Sequence, residues 1–255
     1  MVVLLITASL EALLLANSFF NTALLGAAGS QVTPTITLHS SGGITFEYNY
    51  DLDYTFSYDG NIPAGSFVVI VVTARSKSTS HTGSWTGITD SAGNTFSEAI
   101  AGTQDNNLTF SAIYSGVLGT SVTSSTNITA SSTQSPGDTE FRKAKHYSIF
   151  VLTGVTQVDN TASAPNSTST NALSNSATTT TGNGIALHVL STGTGQNPTV
   201  NSVSSGYTSL SLPASNCGQY SARKVIDGAS ANSTESSTIT MSRSGKYANI
   251  FATFK

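Results

Sequence analysis

The side chains best suited to proton transfer or nucleophilic attack are four histidines, His39, His81, His146 and His188, and one cysteine, Cys217. The histidines are scattered along the chain and share no recognisable frame. No Gly-x-Ser-x-Gly turn presents any of the many serines as a nucleophile, and no His-Glu-x-x-His pair is spaced to hold a catalytic zinc. Cys217 has no histidine and acid frame around it and reads as a buried bystander thiol. These absences argue against an enzyme, and no catalytic or cofactor-binding residue is expected.

Acidic residues offer one alternative chemistry. Glu47, Asp51, Asp53 and Asp59 crowd one hairpin-like region, and Asp90-Ser-Ala-Gly-Asn94 is a small loop with two oxygen-bearing side chains. Such oxygens could hold Ca²⁺, but neither group has the spacing of an EF-hand loop. Asp and Asn also close turns by bonding to their own backbone, and that reading is favoured here, so no metal site is expected. Tyr48, Tyr50, Tyr54, Phe56 and Tyr58 alternate with acids and could form a sugar-stacking platform, although alternating aromatics are also ordinary cross-strand pairs. Asn-x-Ser/Thr sequons fall at Asn107, Asn127, Asn166 and Asn232, all in stretches that read as solvent-facing, and glycosylation at them requires export.

The elements that must position these groups follow from composition and pattern. Only 9% of residues are charged and the net charge is −3, against about 25% charged residues in an ordinary soluble domain. Serine and threonine supply about three residues in ten. A surface wetted by hydroxyls suits extracellular proteins and closely packed assemblies, where like charges on repeated subunits would repel. Arg142, Lys143, Lys145 and His146 form the densest positive stretch, too small for a phosphate-tracking surface, so nucleic acid is not an expected partner. A single cysteine excludes an internal disulfide framework.

Residues 1–29 are almost continuously apolar and contain no proline. They predict one α-helix of about 25–28 residues, roughly 40 Å long. Apolar side chains surround it, so it must be buried in lipid or in other helices. Thr7, Glu11, Ser18 and Thr22 align as one polar stripe. Beyond Gly29 the pattern predicts strands over Thr33–His39, Ile44–Tyr50, Phe67–Ala74, Leu108–Gly116, Val122–Ala130, Tyr147–Val155, Gly184–Ser191, Tyr220–Ile226, Ser237–Ser242 and Tyr247–Phe254. Phe67–Val72 is apolar throughout and reads as a central strand covered on both faces. No short-period repeat appears, and Thr161–Thr181 reads as a low-complexity surface loop. The expected fold is mainly β: a long N-terminal apolar helix (1–29) followed by a Ser/Thr-rich β-sandwich, Ig-like or jelly-roll (30–255).

The helix admits three readings: a secretory signal, a membrane anchor, or the core of a filament in which copies of the helix enclose one another. The first lacks a basic n-region and is interrupted by Glu11, and the second lacks flanking Lys/Arg and leaves Glu11 unpaired in lipid. The filament reading requires all-round hydrophobicity, with Leu5, Leu14, Phe19 and Leu24 among the polymerising side chains and small residues allowing close approach.

A chain that starts on a long apolar helix (Met1–Gly29) and continues into a Thr/Ser-rich β-region resembles an archaeal type IV pilin or archaeal flagellin. The resemblance implies a short basic leader removed before Met1 and a helix parked in the membrane until assembly. The stretches Ile88–Phe96, Tyr147–Val155 and Asn249–Lys255 are similar to β-sandwich modules of prokaryotic surface proteins, which implies a structural or adhesive role. The expected function is therefore a structural, non-enzymatic subunit of an extracellular pilus-like filament, a helical homopolymer that serves adhesion or forms a cell-surface appendage. Alternatives are an anchored or secreted β-module binding surface glycans, or a fibre linked by strand donation through Gln31–His39.

Overall fold

The structure is a computed structural model that describes residues 32–49, 53–75, 82–104, 109–135, 141–165, 168–193, 197–212 and 217–255. The chain divides into two compact units, Met1–Val32 and Thr33–Lys255. The expected helix, with Thr7, Glu11, Ser18, Thr22, Leu5, Leu14, Phe19 and Leu24, lies outside the described residues. Those residues form strands, turns and loops and no helix, so the fold they show is all-β and not a helix-plus-sandwich class. Among them no helix is long and apolar enough to cross a membrane.

A second correction concerns the number of sandwiches: Thr33–Lys255 contains two. The first uses β1 (Thr35–Asn49), β2 (Tyr54–Ser57), β3 (Phe67–Arg75), β4 (Thr82–Asp90), β5 (Ser97–Thr103), β6 (Thr109–Val117), β7 (Asn127–Ser135) and β8 (Phe141–Thr153). The second uses β9 (Val158–Ser163), β10 (Thr170–Thr178), β11 (Gly184–Thr192), β12 (Val200–Val203), β13 (Thr208–Leu212), β14 (Gly218–Ile226), β15 (Thr234–Gly245) and β16 (Ala248–Phe254). The first half forms sheets β1-β8-β3-β6-β5 and β2-β7-β4; the second forms β9-β16-β11-β14-β13 and β10-β15-β12. Counting each half from its own first strand, the order is the same: 1-8-3-6-5 facing 2-7-4. First pairs with last, second with seventh and third with sixth, which is a long hairpin rolled up on itself, the jelly-roll plan. All pairings are antiparallel.

The repeat extends to atoms. Ser91 and Ser204 each follow the fourth strand of their half, and each clamps the seventh strand reciprocally. Ser91 N donates to Asn127 O (2.8 Å) while Asn127 N donates to Ser91 Oγ (3.1 Å). Ser204 N donates to Thr238 O (3.0 Å) while Thr238 N donates to Ser204 Oγ (2.8 Å). Both serines open a Ser-x-Gly-x-Thr turn whose glycine is left-handed, Gly93 at φ 83° and Gly206 at φ 82°.

The two five-stranded sheets pack on each other, so the layers run three-, five-, five- and three-stranded. One core lies between β2-β7-β4 and the first inner sheet, around Tyr58, Trp85, Val68, Ile70 and Ile128. A second lies between β10-β15-β12 and the other inner sheet, around Leu173, Tyr220, Ile239, Met241 and Phe251. The third joins the halves: Val69, Val71, Ile113 and Phe150 meet Ile185, Leu187, Val189, Ile250 and Phe254. This explains two sequence patterns. The inner strands β11 and β16 are buried at every residue, and β3 at all but Arg75, because both of their faces are covered. The outer strands β4 and β10 alternate because one face meets water. Close approach at the junction requires glycine: a Cβ on Gly102 would stand 2.5 Å from Ile250 Cγ2 and 3.2 Å from Ser163 Oγ.

Individual strands also differ from expectation. The two expected strands Thr33–His39 and Ile44–Tyr50 fall, over Thr35–Asn49, in one continuous edge strand, β1, which carries bulges at Leu38/Ser40 and Thr45/Tyr48. Bulges of this kind blunt an edge against further pairing. The expected Thr161–Thr181 loop holds the end of β9 and all of β10.

Candidate functional site

Among the described residues, His146, His188 and Cys217 are built into packing. His188 is fully buried, and its Nε2 donates to Asn249 Oδ1 at 2.8 Å. Asn249 Oδ1 also accepts from Asn175 Nδ2 (3.1 Å), and Asn249 Nδ2 donates to Ser174 O (3.1 Å), which ties the inner sheet to the outer one. Burial depresses the His188 pKa to about 4. Burial likewise lowers His146, and it pushes the fully enclosed Cys217 thiol far up, away from the thiolate a nucleophile needs. His39 is lowered by burial, partly offset by the Asp59 charge. His81 lies outside the described residues.

The Asp90–Asn94 loop is a bolted turn. Asp90 Oδ1 accepts from Ala92 N (3.0 Å) and Asn94 N (2.8 Å), and Oδ2 accepts from Asn94 Nδ2 (2.8 Å) and Tyr58 OH (3.0 Å). Asn94 then reaches across to Thr120, donating to its carbonyl at 3.1 Å and accepting from its amide at 2.9 Å. Both carboxylate oxygens thus face donors of the protein itself. Among the described residues no three His, Cys, Asp or Glu side chains gather as metal ligands; Asp53 and Asp59 are exposed, and Asp51 is not described. Asp90→Ala removes four acceptor contacts and strands a buried Tyr58 hydroxyl. The expected cost is about 2–4 kcal/mol, read as a lower urea midpoint of Trp85 fluorescence.

The sugar platform is not formed by the central aromatics. Tyr54, Phe56 and Tyr58 are 4%, 7% and 1% exposed and point into the first core, where Phe56 stacks on Tyr147 with ring centroids 4.1 Å apart. Strand alternation sends one face of β2 inward, and the aromatics occupy that face.

What the outer sheets present to water is hydroxyl. On the first, Thr55, Thr129 and Thr89 stand side by side across β2, β7 and β4, and Ser84 Oγ meets Thr133 Oγ1 at 3.0 Å. On the second, Ser174, Ser176 and Thr178 of β10 face Thr238, Ser236 and Thr234 of β15, with Ser174 Oγ 2.7 Å from Thr238 Oγ1. Beside them Asn160, Thr161, Ser176, Ala177, Thr178 and Thr234 line a groove of about 400 Å³. Lys255 Nζ and Asp159 Oδ1 are 3.2 Å apart, an ion pair joining Lys255 to β9.

Of the sequons, Asn127 opens β7 and is exposed, and Asn232 is exposed in a left-handed turn at φ 62°. Asn107 and Asn166 lie outside the described residues. Sequence reasoning did not single out the groove, because its walls come from β9, β10 and β15, and all of β10 and the end of β9 lie in a stretch that reads as a loop.

The fold and its surfaces define a class: an all-β protein of two repeated sandwiches with hydroxyl-lined outer faces. No protein-family model matches the chain, and no curated protein matches its sequence.

Proposed function

We propose that this protein is a structural subunit of an extracellular pilus-like filament, joined to copies of itself through the apolar segment 1–29. The observation that carries this reading is the pairing of that segment with outer sheets faced by neutral hydroxyls. Hydroxyl faces let subunits crowd without charge repulsion, while the apolar segment must be removed from water. Burying roughly 1,000 Å² of it would contribute about 25 kcal/mol before ordering costs. Before assembly the segment would rest in the membrane. The work is mechanical, and the buried histidines and thiol have no part in a reaction.

Two rivals lose support. A glycan-stacking platform would have to do without Tyr54, Phe56 and Tyr58, which face the first core. Strand donation through Gln31–His39 would need a free strand, and Thr35–Leu38 already pairs with β8 of its own chain.

Negative-stain electron microscopy of the full chain tests the reading. Filaments are expected, and they should disappear when residues 1–29 are removed and in Leu14→Asp, with the circular dichroism of the β-region unchanged. Filaments that persist in both variants would move the interface to the sandwiches and overturn the proposal.

A further inference from the structure

We infer that Asn232 carries an N-linked oligosaccharide and that the groove beside β10 is where the first sugars of that glycan lie. The inference rests on the extracellular reading, since the modification requires export. Three observations converge on it. The sequon Asn232-Ser233-Thr234 ends on Thr234, which is itself a wall of the groove. Its middle residue is pinned to the neighbouring strand's end: Thr179 N donates to Ser233 O at 2.8 Å, and Thr179 Oγ1 to the same oxygen at 3.2 Å. Thr178 and Thr234 stand opposite each other in the ladder, so the turn bearing Asn232 sits at the groove's rim.

The lining matches the ligand. Asn160, Thr161, Ser176, Thr178 and Thr234 offer neutral hydroxyl and amide groups, and Ala177 is the single apolar wall. The groove holds about 400 Å³ and is open to solvent, so a sugar chain can lie along it while remaining attached at its rim. Such walls both donate and accept, so they exchange hydrogen bonds with a polyol and offer little to an apolar ligand.

Asn232 also suits the transfer better than Asn127. Asn127 has both backbone groups engaged by Ser91 and opens a strand flanked by β2 and β4. An enzyme drawing it into a bent loop would have to unpair that strand. Asn232 is exposed in a left-handed turn closed by Ser233 N donating to Ser230 O at 3.2 Å. In the reaction, Nδ2 of Asn232 attacks C1 of a lipid-linked oligosaccharide. The N–C bond forms as the sugar–phosphate C–O bond breaks, the lipid phosphate leaves, and Nδ2 gives its proton to solvent.

The test uses the full chain made in a host with N-linked glycosylation, read by mass spectrometry of its peptides. Asn232 is expected to be occupied to a greater extent than Asn127. Mild periodate oxidation of the native protein should then oxidise the Asn232 glycan several-fold faster in Thr178→Tyr and in Ser176→Tyr, which fill the groove and spare the sequon. Thermal melts confirm that both variants fold. An unmodified Asn232, or equal oxidation rates in wild type and both folded variants, overturns the inference. Electron microscopy of the same preparations reports filaments separately, so failure of one proposal is distinguishable from failure of the other.

Discussion

Val71→Asp is expected to leave no stably folded protein at neutral pH. Val71 is fully buried on β3, facing the junction where the two inner sheets meet among Val69, Ile113, Leu187 and Val189. Arg223 packs over the Phe150 ring at 5.6 Å, but the side chains clustered around Val71 are apolar, so the new carboxylate must either remain charged in that surrounding or take up a proton at a raised pKa. The cost is at least about 4–5 kcal/mol, a large part of the roughly 5–15 kcal/mol that holds a domain together. Val71→Ala keeps the chemistry and loses only packing, about 2 kcal/mol. The single tryptophan, Trp85, sits in the first core against Phe110 with ring centroids 5.4 Å apart and reports the first sandwich, while far-UV circular dichroism reports both. In urea, wild type and Val71→Ala should show coincident transitions by the two probes, since the halves share one apolar face. A Val71→Asp protein with native Trp85 emission and an unchanged midpoint would show that the junction is not packed in solution.

Acid should weaken the second sandwich through His188. Its folded pKa is about 4 and its ordinary value 6.5. Between these values the unfolded chain binds a proton that the folded one refuses, so stability rises with pH across that window. It is lost progressively as pH falls from 6.5 to about 4. The gap is worth about 3 kcal/mol. The cause is structural: Nε2 donates to Asn249, Nδ1 has no partner, and Phe251 lies 5.7 Å away, centroid to centroid. His146, also depressed by burial, acts in the same direction from the other inner sheet. His188→Leu should therefore flatten, without abolishing, the decline in urea midpoint from pH 7 to pH 4. An acid limb as steep as wild type would place the sensitivity elsewhere.

Much of this protein was legible in its sequence, for identifiable reasons. The apolar run Phe67–Val72 announces a strand covered on both faces, because no residue in it tolerates water. Ser91-Ala-Gly-Asn-Thr95 and Ser204-Ser-Gly-Tyr-Thr208 were a readable sign of the repeat, but three shared residues in five stand little above chance in a Ser/Thr-rich chain. Tertiary structure decided the rest. Alternation in Tyr54–Tyr58 requires that one face be buried, and cannot say whether the aromatic face turns to a core or to a ligand. The core between β2-β7-β4 and the inner sheet settled that. Strand β10 hides only Leu173, Asn175 and Ala177 and otherwise reads as low-complexity polar chain, so its place came from pairing with β15. That two sandwiches exist, and that the first strand of each pairs with its eighth, is a matter of long-range partnership. Local sequence specifies which residues must leave water, but the surface that receives them is assembled from residues distant in the chain.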